Sequence, residues 1–140
     1  QRLTMGELSW NNEDIDTLII IGFAENDPEK ATVPWALANM ELARGKKVQV
    51  ALMFEGTMSV IPGIADNIVQ GPPFDGPLLP RITSFMEKGG VINCCMPCLK
   101  GRVAKGRVKE PVQLLDGVGR CNGFHILEMK DKAKNVLQFT

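Results

Sequence analysis

The stretch "DTLIIIGF" at 16–23 constrains the fold more than any other in the chain. Three consecutive isoleucines follow a leucine with no polar residue between them. β-Branched side chains favour extended backbone. A strand with one wet face alternates apolar and polar residues. An unbroken apolar run fits a strand covered on both faces, as in a parallel sheet. Parallel strands need a crossover, and the next residues supply one. From Lys30 to Arg44 the spacing turns helical: Val33, Leu37 and Met40, with Ala36 and Ala43, share one face. Pro34 is expected in the first turn, and Gly45 closes the helix. "KKVQVALMF" (46–54) reads as a second strand beside the first, with the helix covering one face of the pair.

Residues 55–77 are rich in glycine and proline. So long a loop is unusual in a compact domain, and a short helix is expected to interrupt it around Ile64–Val69. "LLPRITSFMEK" (78–88) places Leu79, Ile82, Phe85 and Met86 at helical spacing, and Gly89-Gly90 ends it. "GVIN" (90–93) is a short third strand, followed by a helical turn near Pro97–Arg102. "NGFHILEMKDK" (122–132) reads as a last helix and "NVLQF" (135–139) as a last strand. Strands alternating with helices give an α/β expectation: one domain over 1–140, with a mainly parallel sheet of about five strands flanked by helices.

The chain has 140 residues and zero formal net charge. No block of like charge offers a surface to nucleic acid or to an anionic membrane. Its longest apolar runs are far shorter than a bilayer span, so no membrane insertion is expected. No segment reads as a signal peptide, and the cytoplasm is the expected location. Four cysteines in a domain of this size are too few for a disulfide scaffold.

Three of those cysteines, Cys94, Cys95 and Cys98, fall within "CCMPC", at the end of the third strand. In open α/β sheets the working site lies at the carboxyl ends of the strands. A cysteine at the start of a helix faces unpaired N–H groups and the positive end of the dipole, which favour thiolate over thiol. Lys100 and Arg102 add positive charge if they fold back. Two thiols at C-x-x-C spacing come onto one side of a helical turn, so one can resolve what the other forms. These three cysteines are the candidate nucleophiles. Three other readings stand beside this one. The cysteines are small buried apolar residues. Cys121 and His125, at i and i+4 on the last helix, complete a zinc set. Or "CMPC" is a thioredoxin-like dithiol, though that motif normally follows the first βαβ element.

Asn26 and Asp27 follow the first strand, at the same sheet edge. They line the site or serve as turn and cap residues. Glu55, after the second strand, orients a thiol or a lysine, or is simply solvated. Met5, Met58 and Met96 read as gap-fillers or interface residues. Trp10 and Trp35 are candidate contacts between copies. An α/β domain this small, with an apolar-containing loop, is expected to pair with copies of itself.

With these elements placed, the chain resembles the DsrE/DsrF/YchN-like family of small sulfur-handling proteins. The stretch from "DTLIIIGF" to "FEGTMSV" matches its strand, polar loop, helix, Gly, strand and Gly-containing loop. "FMEKGGVINCCMPCLKGRV" resembles its helix, Gly-Gly, short strand, C-x-x-C and an Arg four residues after the second Cys. "VQLLDGV" and "NGFHILEMKDKAKNVLQF" are similar to later stretches. Cys95 and Cys98 fall on the C-x-x-C and Arg102 on the arginine; many relatives have Gly after that arginine, where this chain has Val103. The resemblance implies a sulfurtransferase or carrier that holds sulfane sulfur covalently on cysteine, as persulfide or thiosulfonate, with no separate cofactor. It also implies a homo-oligomer (dimer, trimer or hexamer) that works between sulfur donor and acceptor proteins. The alternative to it is an oligomeric zinc-binding or dithiol redox module.

Overall fold

The computed structural model describes residues 8–10 and 13–140. Met5 lies outside them. Five strands form one parallel sheet: β1 (Thr17–Ile21), β2 (Val48–Leu52), β5 (Val91–Cys95), β6 (Gly119–Cys121) and β7 (Asn135–Phe139), in the order β6-β5-β2-β1-β7. A separate antiparallel hairpin joins β3 (Val69–Gly71) to β4 (Phe74–Pro77). The helices are α1 (Pro28–Ala43), α2 (Leu79–Glu87), α3 (Met96–Ala104) and α4 (Gly123–Lys132). This is the α/β architecture expected, with β1 and β2 adjacent and buried along their whole lengths.

The sheet separates two clusters of apolar side chains. Ile19, Ile21, Val50, Leu52, Ile92 and Cys94 face the larger one, with α1, α2 and part of α3. Leu18, Ile20, Ala51, Cys95 and Cys121 face the smaller one, beneath Ile126 and Met129 of α4. Successive residues of a strand point to opposite faces, so the isoleucine run feeds both cores at once. On the α4 side one polar pair is buried: Asn93 Nδ2 donates to Gln49 Oε1 at 3.0 Å.

Several local expectations need correction. Helix α1 starts earlier than its apolar spacing suggests. Asp27 caps it, accepting from Lys30 N at 3.1 Å, and Pro28 fills the first turn. Pro34 therefore lies inside the helix. The buried face rotates with that start: Ala31, Trp35 and Ala38 are sealed, while Met40 is 57% exposed. Trp35 is a core residue with its ring 5.6 Å edge-on to Phe85, so it is no contact between copies. The short helix expected around Ile64–Val69 is present as a single 3₁₀ turn, but more of the loop after β2 is ordered than the sequence suggests. A 3₁₀ segment spans Phe54–Val60, a second spans Ala65–Asn67, and β3 and β4 follow. Strand β5 runs through Cys94 and Cys95 instead of stopping at Asn93. Cys121 ends β6, before the Asn122 cap of α4, so it does not share a helix with His125.

Candidate functional site

The junction of β5 and α3 has no loop. Cys95 is the last strand residue and also the N-cap of α3, with Met96 and Pro97 in the first turn and Cys98 next. Proline at this point costs no hydrogen bond, because the first N–H groups of a helix have no internal partner. The arrangement sets Cys98 in the first turn, at the carboxyl edge of the sheet, where the helix dipole favours negative charge.

Pleat geometry sorts the cysteines. Cys94 points into the larger core and is fully buried. Burial pushes its thiol well above the ordinary range. Cys95 points to the α4 side and is 3% exposed. Cys98 is half-buried and is the most accessible of the four. All four are free thiols.

Cys98 and Cys95 act on each other. A hydrogen bond from the Cys95 thiol is the main cause that lowers Cys98, against the cost of burial, to about 6. The N–H of Phe54 and the charge of Arg102 assist. The same hydrogen bond, with burial, holds Cys95 high as a protonated donor. One thiolate and one thiol therefore share one proton.

The Phe54 contribution depends on unusual backbone. Phe54 has φ +51°, in the left-handed region that L side chains rarely occupy. Three features hold it there. Met53 N donates to Ile21 O at 3.0 Å, which ties the end of β2 to β1. Thr57 Oγ1 donates to Phe54 O at 2.8 Å. Gly56 lies so close to β1 that a Cβ on it would overlap the Ile21 carbonyl oxygen. Strained non-glycine residues of this kind cluster at functional sites.

Glu55 binds both Arg102 and Arg107. Its Oε2 accepts from Arg102 Nε at 3.3 Å, and Arg102 Nη1 donates to Cys98 O at 2.9 Å. Partial burial alone would raise Glu55, but the hydrogen bonds from Arg107 and Arg102 outweigh it and hold its carboxyl low. Glu55 thus fixes the guanidinium that supports Cys98 and does not touch the thiols itself.

The structure therefore brings together Cys95, Cys98, Arg102 and Glu55. It does not bring in the other candidates. Lys100 is exposed on α3. Asn26 is exposed and turns back on its own loop, with Oδ1 accepting from Ala24 N at 2.9 Å. Met96 packs into the larger core and Cys94 is shut away there. His125 is a capping residue: its Nδ1 accepts from Asn122 N at 3.2 Å, and its ring stacks on Trp10 at 4.7 Å. Trp10 thus has a partner within its own chain. Among the described residues no group of three or more His, Cys, Asp or Glu side chains is arranged to hold a metal ion. Sequence reading missed Phe54, Thr57 and Arg107. The "FEGT" stretch after β2 carries the only signal, a glycine two residues beyond a phenylalanine.

Beside Pro97 an apolar groove of about 660 Å³ runs between Met53, Phe124, Ile126 and Leu127. Phe124 is 77% exposed and Leu127 60%. Among the described residues no helix is long and apolar enough to cross a membrane.

The order and direction of its strands define an α/β protein with a YchN-like fold. Among the solved structures it is similar to is the crystal structure of the ychN protein from E. coli, with a TM-score of 0.65, 18% sequence identity, and coverage of 89% of this chain and 99% of that one. No protein-family model and no curated protein matches the sequence.

Proposed function

We propose that this chain is a sulfur-transfer protein in which Cys98 accepts sulfane sulfur and passes it to a partner thiol. The observation that carries the reading is the environment of Cys98. It is an accessible sulfur at a helix start, held as thiolate near neutral pH by the Cys95 thiol, the Phe54 N–H and Arg102. A thiol that ionises close to ambient pH combines a high thiolate fraction with useful nucleophilicity. The likeness to YchN is consistent with this reading through the fold alone.

The chemistry needs no cofactor. With thiosulfate as donor, the Cys98 thiolate attacks the sulfane sulfur. The bond between the two donor sulfurs breaks, and sulfite leaves with the bonding pair. Cys98 then carries a persulfide. An acceptor thiolate attacks the outer sulfur, and the Cys98 thiolate is the leaving group. The low thiol pKa of Cys98 serves both steps, since a weakly basic thiolate leaves fast.

Assembly with further copies is part of the proposal. Strand β7 is a sheet edge on which Val136 and Leu137 are each 37% exposed, and Phe124 and Leu127 stand open on neighbouring α4. Apolar surface of this kind favours association.

The test is a pulse of inorganic polysulfide followed by removal of the excess and addition of an acceptor thiol. The intact mass is expected to rise by one sulfur atom and to return on addition of the acceptor. A chain whose mass never changes in the pulse contradicts the proposal.

A further inference from the structure

Cys121 is a buried nucleophile that the transfer scheme above does not use. It ends β6 in register with Cys95 of β5. Residues paired across parallel strands point to the same face, and both side chains belong to the cluster beneath α4. Adjacent strands lie about 4.8 Å apart, inside the roughly 4.4–6.8 Å Cα range that a disulfide accepts. Cys95 in turn hydrogen-bonds Cys98. Burial deepens from half-buried Cys98 to Cys95 at 3% and Cys121 at 0%. Three sulfurs thus lead inward from the surface, and Cys95 is placed to bond either of the other two.

We infer that Cys121 is a second resolving thiol, which takes over a Cys95–Cys98 disulfide as a cross-strand Cys95–Cys121 disulfide and returns Cys98 to the thiolate. The inference rests on the sulfur-transfer reading and adds what happens when no acceptor arrives. The Cys95 thiol attacks the inner sulfur of the Cys98 persulfide. A Cys95–Cys98 disulfide forms, and the outer sulfur leaves as hydrosulfide, taking the thiol proton. The sulfane sulfur is the oxidant: it gains two electrons, and the two cysteines lose them. Cys121 then attacks the Cys95 sulfur and loses its proton to solvent. The Cys98 thiolate leaves.

Leaving-group chemistry gives the exchange its direction. With Cys95 tied in the disulfide its thiol no longer supports Cys98, but the Phe54 N–H and Arg102 still favour the Cys98 thiolate. Cys98 therefore remains a better leaving group than buried Cys121, and the disulfide opens toward it. Burial, chiefly, holds the Cys121 thiol up at about 12, so it is seldom ionised. The exchange is therefore slow, and transfer to a ready acceptor goes first. Sulfide release is the outcome for sulfur that waits.

The experiment loads the full chain with inorganic polysulfide, removes the excess, withholds any acceptor, and alkylates samples over time. The expected product is stoichiometric sulfide, a Cys95–Cys121 peptide pair, and Cys98 open to iodoacetamide. Cys121→Ala is expected to stop at Cys95–Cys98 with Cys98 blocked, and Cys95→Ala to keep the persulfide and release no sulfide. A parallel arm uses glutathione disulfide, which enters at Cys98 without any sulfane sulfur. A chain that takes no polysulfide sulfur yet ends at Cys95–Cys121 in this arm supports the exchange and removes the transfer reading. A wild-type chain that ends at Cys95–Cys98 with both oxidants, like Cys121→Ala, overturns the inference.

Discussion

Cys94 and Cys95 are consecutive in β5 and face opposite sides of the sheet. One pleat step decides which thiol can reach the site and which is packing. Cys94 lies with Ile92 in the larger core, whereas Cys95 lies against Cys98. Replacing Cys94 by Ala is therefore expected to leave sulfur loading intact and to cost about 1 kcal/mol of stability, the usual scale for a core change. Cys98→Ser is expected to do the reverse: loading is lost, and stability stays within about 0.5 kcal/mol. Intact mass and thermal melting read the two effects.

The rate of alkylation by iodoacetamide gives the ionisation of Cys98 directly. Its pKa is lowered to about 6, so the reactive thiolate forms as pH rises through that value and the rate then levels off. Below it the rate falls about tenfold per pH unit. Cys95→Ala removes the main donor and is expected to move the midpoint up toward the free-thiol value of about 8.5. Arg102→Gln moves it up by less. Lys100→Gln leaves it in place. An equal shift in the two charge variants would mean that general basicity, and not the placed guanidinium, sets the thiol.

Gly56 controls the site from the far side of Phe54. An alanine there overlaps the Ile21 carbonyl oxygen, so the 3₁₀ segment must retreat from β1. A loss of about 1–3 kcal/mol is expected from the overpacking. The Cys98 midpoint should rise with it, because the Phe54 N–H moves away. Phe54→Gly keeps the N–H and relieves the roughly 1–2 kcal/mol that an L residue pays in the left-handed region. That variant is expected to hold the wild-type midpoint. Chemical denaturation and the alkylation profile, measured on both variants, check the pair.

Sedimentation at micromolar concentration tests assembly. The chain is expected as a homo-oligomer that Phe124→Glu and Leu127→Glu, on the open face of α4, drive toward monomer. A wild-type monomer under those conditions removes this part of the account.

Much of this fold is written in local pattern. The unbroken isoleucine run of β1, the helical spacing of the apolar residues in α2 and the short apolar-rich "NVLQF" of β7 each form the expected element. Strand β6 carries no such signal, because Gly119-Arg120-Cys121 is too short to show any period. The hairpin β3–β4 was hidden for another reason: proline and glycine punctuate it throughout, and its pairing is tertiary. Trp35 is placed by its fit to Phe85, which no single-helix pattern shows. At the site, the cysteines and Arg102 are visible as a cluster with basic neighbours. The separation of Cys94 from Cys95 depends on one residue of strand length. The role of Phe54 depends on a φ angle imposed by Gly56, Thr57 and β1 together.

The central claim is that Cys98 is the sulfur acceptor. Peptide mapping after a brief polysulfide pulse at pH 7, with immediate alkylation, tests it most directly. The account predicts the added sulfur atom on the peptide position of Cys98 in the wild-type chain, still there in Cys94→Ala and Cys121→Ala, and none in Cys98→Ser. Sulfur found at Cys94 or Cys121, or loading retained in Cys98→Ser, would contradict it.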